Sequence, residues 1–245
     1  VFEIEESVRS TKDMSENELE SFKILHWLIY FCWNIGIFKP LLKYANKELN
    51  MNPMDVFLHV LKTKNNNLRE LFSSMRSESI SEWFDTEKNL IAYYSNDGNR
   101  NNLKKFKKLN AWWIAKLYSD NTLLNNLYDE IVFCVENNFA KKDFNDVIWN
   151  ELKNINLQLL CFGDLSKSGK SDPISIHGKT IYYLNGDSTY VDKSNIKIYI
   201  YREKESAQWW DYYLDGDCYH DVSINKFLSA LEKGGSSKLL NSITV

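Results

Sequence analysis

The chain has 245 residues, 44% of them apolar, which is enough for one large domain or two small ones with real cores. Thirty Lys and Arg stand against 33 Asp and Glu, a net charge of −3. That near balance weighs against a general nucleic-acid binder, which carries a basic excess, and against a disordered acidic tail. Nine Gly and three Pro exclude collagen-like and linker-dominated chains, while 14% aromatic residues mark a folded, aromatic-rich body.

Val1–Ile4 alternates apolar and polar residues, a short strand at most, and residues 11–15 form a polar bend. Ser15 with Glu18 fits a capping box, in which the serine accepts from the third amide and the glutamate reaches back to the cap. Phe22, Leu25, Ile29 and Trp33 then recur at three to four positions, as one apolar face of a helix does. Gly36 would close that helix. Pro40 suits the first turn of a second helix over 41–49, and Asn52-Pro53 opens a third over 54–62. Further helical stretches are predicted at 68–75, 79–94, 103–118, 122–137 and 144–155.

Near residue 157 the pattern changes. Residues 157–162 form a compact apolar run of strand length, and 180–184, 196–201 and 208–214 are rich in β-branched and aromatic residues. Ile196, Ile198 and Ile200 share one face of their strand. Residues 221–231 read as a last helix, closed by Gly234-Gly235. The fold class is therefore α+β: a mainly helical N-terminal body, 1–156, followed by a small antiparallel sheet and a terminal helix, 157–245. No internal repeat is visible.

Cys32, Cys134, Cys161 and Cys218 show no paired spacing, so a zinc ribbon is not expected, and those inside apolar runs read as buried free thiols. The longest apolar stretch, 24–37, contains polar residues and is too short to span a bilayer. Residues 1–7 are acidic and lack a leader's apolar run. The expectation is a cytoplasmic chain with no membrane partner. Because it starts at Val1, it also reads as a piece of something longer.

Several constellations resemble sites. Gly169-Lys170-Ser171 echoes the end of a phosphate loop, but the glycine spacing is wrong and Asp172-Pro173 stands where a helix should begin. A Ser/Lys/Gly hairpin or loop is the better reading. Asp215, Asp217, His220 and Asp221 cluster without the calcium-loop pattern, and read as a solvated turn. Lys104, Lys105, Lys107 and Lys108 precede Trp112 and Trp113, a basic and aromatic mixture of the kind that binds single-stranded RNA. On a helix it is also an ordinary amphipathic face. Trp209-Trp210 and Tyr212-Tyr213 alternate across a predicted strand, leaving one ring set for a core or a partner. No nucleophile triad follows from spacing.

A longer pattern runs through Ser10-Thr11-Lys12-Asp13-Met14-Ser15, Glu18, His26-Trp27, and Gly36 to Tyr44, then Asn52 to Phe57. It resembles the region downstream of the catalytic barrel in cobalamin-binding radical SAM enzymes. Such enzymes need three clustered thiolates, CxxxCxxC, and this chain has none, nor a cobalamin-binding histidine motif. The resemblance therefore implies an accessory, non-catalytic C-terminal domain. Iron–sulfur cluster, S-adenosylmethionine and cobalamin would belong to the parent enzyme, with no cofactor or metal in this chain. Its partners would be the upstream catalytic domains of the same enzyme or another protein. His26, Trp27, Trp33 and Asn34 are the candidates for the face that meets core or substrate. A stand-alone protein- or RNA-binding module is the alternative, and a small hydrolase or transferase with a hidden pocket is a third reading.

Overall fold

A computed structural model of the chain describes residues 10–81, 83–99, 109–139, 146–160, 169–202 and 242–245. The helices are α1 (Glu16–Ile29), prolonged by a π-helical turn (Tyr30–Asn34), α2 (Lys39–Leu49), α3 (Pro53–Leu61), α4 (Asn66–Ile80) and α5 (Glu87–Tyr94). They continue with α6 (Leu109–Ser119), α7 (Asn121–Phe139), α8 (Val147–Leu160) and, within the sheet region, α9 (Gly178–Asn185). The strands are β1 (Gly169–Lys170), β2 (Ile174–Ile176), β3 (Ile196–Arg202) and β4 (Ser242–Thr244). The protein is mostly helical with a small antiparallel sheet, an α+β fold. Features expected at 1–4, 208–214 and 221–231 lie outside the described residues.

The capping box forms as read: Ser15 Oγ accepts from the Glu18 amide at 3.3 Å, and the Glu18 carboxylate accepts from the Ser15 amide at 2.8 Å. Gly36, at φ +93°, ends the helical run, and the Phe38 amide then donates to the Cys32 carbonyl at 3.1 Å. The buried face of α1 is Ile24, Trp27 and Leu28, continued by Phe31 in the π-helical turn, with Glu20 facing Arg76 Nε at 3.6 Å. The sequence recurrence lies on the other side, where Phe22 is 53% exposed and Leu25, Ile29 and Trp33 are half-buried. Both sides of the helix are apolar, so period alone does not choose between them. Packing against α3 and α4 does.

Asparagines start the next two helices. Asn52 Oδ1 accepts from Met54 at the head of α3, and Asn65 Oδ1 from Leu68 at the head of α4. The helix expected over 79–94 is broken. Ser79 and Ser81 hydroxyls take up the Arg76 and Glu78 carbonyls as α4 ends, and Thr86 recaps the chain into α5 through the Asn89 amide.

The strand expected at 157–162 is instead the end of α8 as far as Leu160. Trp149, Leu152, Ile155, Asn156 and Leu160 are buried at helical spacing along it. Helix α8 therefore runs through the expected boundary at 156–157. It contributes Trp149, Leu152 and Leu160 to the large helical core and Ile155 to a second cluster with Ile176, Ile181, Ile196 and Ile198.

The strand expected at 180–184 is helix α9. Its β-rich composition is overridden by capping from outside: Glu151 of α8 accepts from the His177 amide and from the Thr180 hydroxyl, and Gly186 at φ +85° closes the other end. Strand β3 forms as read, with Ile196, Ile198 and Ile200 buried. β1, β2 and β4 all pair with it antiparallel, through Lys170↔Tyr201, Ile174↔Ile198 and Ile200↔Ile243. Between β1 and β2, Ser171 exchanges two hydrogen bonds with Ile200, one from its amide and one to its hydroxyl. Pro173, which has no N–H to donate, falls where the ladder shifts register.

No single helix among the described residues is long and apolar enough to cross a membrane. The apolar run over α1 and α2 bends by 90°.

Candidate functional site

The outer side of α1 carries an aromatic stripe. Phe22, His26 and Tyr30 are exposed at successive turns, and the π-helical turn adds Trp33, half-buried, with Lys39 Nζ 5.7 Å from its ring centre. Asn34 is exposed beside it. Three of the four expected face residues thus share this side. Trp27 does not. It is fully buried, stacked on Phe31 with centroids 5.4 Å apart, and its indole N–H donates to the Asn110 carbonyl at 3.2 Å. It sits one residue from His26, and that 100° step puts it in the core.

Of the basic and aromatic stretch only the helical end is described. Lys104, Lys105, Lys107 and Lys108 lie outside the described residues, and Trp112 falls within α6. Trp113 is buried and donates its indole N–H to Glu78 Oε2 at 3.0 Å, so it is a core ring with a satisfied polar edge. Lys116 reaches the same carboxylate. Desolvation raises the Glu78 pKa, but the hydrogen bonds from Lys116, Trp113 and Ser74 outweigh it and hold the group below the ordinary range.

Gly169 and Lys170 form β1 rather than a loop, and Ser171 is spent on Ile200. The cluster at 215–221 lies outside the described residues. Cys32 and Cys134 are buried thiols; desolvation drives the Cys32 thiol far above its ordinary range, and desolvation with Asp55 and Glu130 nearby pushes Cys134 up to about 11. Neither is a thiolate near neutral pH. Among the described residues no three His, Cys, Asp or Glu side chains converge as a metal site.

A cavity of about 510 Å³ that sequence reading missed lies between the C-terminal turn of α3, the α3–α4 connection and α7. Glu130 anchors it: the Thr63 hydroxyl donates to Oε1, and His59 Nε2 stands 3.3 Å from Oε2. Thr63 also accepts from the Asn65 amide at 3.0 Å, so the connection and the carboxylate are fixed together. His59 and Glu130 are 71 positions apart in sequence, and only the packing of α3 on α7 brings them together.

No protein family, no curated protein and no solved structure matches this chain.

Proposed function

We propose that this chain is a non-catalytic accessory domain, like the C-terminal region of cobalamin-dependent radical SAM enzymes, that packs on the catalytic modules and helps enclose their substrate. The observation that carries this reading is the outer face of α1. A surface helix normally turns its apolar stripe to the core, yet α1 also carries rings facing outward: Phe22 is 53% exposed and Tyr30 38% exposed. Burying the surface that each ring still exposes contributes on the order of 1 kcal/mol. The same stretch holds the His26-Trp27 pair and the Gly36 turn on which the resemblance rests. A reducing, cytoplasmic setting fits the buried thiols of Cys32 and Cys134.

The test uses the polypeptide extended upstream of Val1. The expected product is coloured, carrying an iron–sulfur cluster and cobalamin, and amides of residues 22–34 exchange more slowly in it than in the 245-residue chain. A colourless, cofactor-free product, or equal exchange in the two proteins, removes the proposal.

A further inference from the structure

The cavity between α3 and α7 has its own chemistry, independent of the α1 face. Among the described residues four buried side-chain polar atoms lack a hydrogen-bond partner, and two of them, His59 Nε2 and Asn126 Nδ2, belong to residues lining this one cavity. His59 Nε2 is within ion-pair distance of Glu130 but not aligned for a hydrogen bond. Asn126 lies one helical turn before Glu130 on α7, and its amide nitrogen is a buried donor with nothing to donate to. An orphaned buried donor is unfavourable by about 1–3 kcal/mol; His59 Nε2 faces the Glu130 carboxylate, so it is Asn126 Nδ2 that calls for an acceptor inside the cavity.

Charge and surface narrow the occupant. Lys62 and Lys64 balance Asp129 and Glu130 along the lining, the lysines on the α3–α4 connection and the carboxylates on α7, so an acceptor in the cavity meets its cations on the connection side. The Phe133 ring, 57% exposed, lies against His59 with centroids 6.0 Å apart and gives an apolar wall. A volume of about 510 Å³ is that of a small-molecule site. We infer that this cavity binds a small organic carboxylate with an apolar body, its oxygens taken by Asn126 and the neighbouring lysines and its body laid against Phe133.

Benzoate is the probe, with benzamide and benzylamine as controls, read by amide chemical shifts of the 245-residue chain. For an acid of this size a dissociation constant on the order of 1 mM is expected. Shifts should centre on 59–65 and 126–133, benzamide should bind at least threefold more weakly, and benzylamine should not bind. Asn126→Leu should lower benzoate affinity at least tenfold. Lys64→Glu, an exposed change that spares the packing, should lower it several-fold and keeps the test valid where the leucine variant fails to fold. No shifts at tens of millimolar benzoate, equal binding of benzylamine, or affinity unchanged by Lys64→Glu would overturn the inference.

Discussion

The Tyr44 hydroxyl donates to Asp146 Oδ2, 102 residues along the chain, while Oδ1 of the same carboxylate accepts from the Ile148 and Trp149 amides at 2.7 and 3.2 Å. One side chain therefore caps α8 and ties it to α2, and the rings of Tyr44 and Trp149 pack 5.4 Å apart over the junction. Asp146→Ala removes the cap and the acceptor of a buried hydroxyl together. The expected loss is about 2–4 kcal/mol by urea denaturation. Tyr44→Phe leaves the cap in place and is expected to lose about 1 kcal/mol. Equal losses in the two variants would show that the cap contributes nothing.

Three tyrosines should make the protein sensitive to alkali. Burial foremost raises the ionisation of Tyr44, Tyr128 and Tyr183 above the ordinary range, reinforced by Asp146, by Asp129 with Glu136, and by Glu48 respectively. A folded-state pKa above the unfolded value means that the folded chain holds those protons more tightly. The resulting stability is present below the unfolded value, about 10, and is lost as pH rises above it. Tyrosinate absorbance should therefore rise in two phases, the second coincident with unfolding. Tyr183→Phe should flatten the fall of Tm above about pH 10; an unchanged slope would refute its share.

Glu151 holds the start of α9 from another helix. Its carboxylate accepts from the His177 amide at 3.0 Å, approaches His177 Nδ1 at 2.7 Å and accepts from the fully buried Thr180 hydroxyl. Glu151→Ala strands both donors and should destabilise by about 2–4 kcal/mol, whereas Glu151→Gln retains an acceptor oxygen and should lose about half as much. Amide exchange should rise first at 177–181 in the alanine variant. Uniform exchange across the protein would contradict a local cap.

What could be read from the sequence were the devices that act within four residues. Ser15 with Glu18, Pro40, Asn52 and Gly36 do in the fold what their chemistry says. The alternation at 196–201 also survives, because one face of β3 is buried on its own terms. What misled were segments whose state is decided from a distance. Residues 180–184 have strand composition but are capped by Glu151, and 157–160 extend a helix whose inner face began at Trp149. The cavity was invisible for the same reason: His59, Asn126 and Glu130 lie on helices that touch only after folding. On α1 the recurrence of Phe22, Leu25, Ile29 and Trp33 was legible and the outward His26 and Tyr30 were not, because two apolar faces compete there and only packing ranks them.

Adjacent residues on α1 turn that ambiguity into a measurement. Trp27 is fully buried on Phe31, while His26 is exposed on the outer stripe. Trp27→Ala removes the stacked ring and its bond to Asn110, and should lose about 3–5 kcal/mol. His26→Asp leaves every core contact in place and should change stability by no more than about 0.5 kcal/mol. In a longer polypeptide that covers the outer face, the order of effects narrows, because an aspartate among Phe22, Tyr30 and Trp33 would then be desolvated at the contact. Thermal denaturation of both variants in both proteins reads this directly. A His26→Asp loss in the isolated chain as large as that of Trp27→Ala would mean that α1 is rotated and that its aromatic stripe is core.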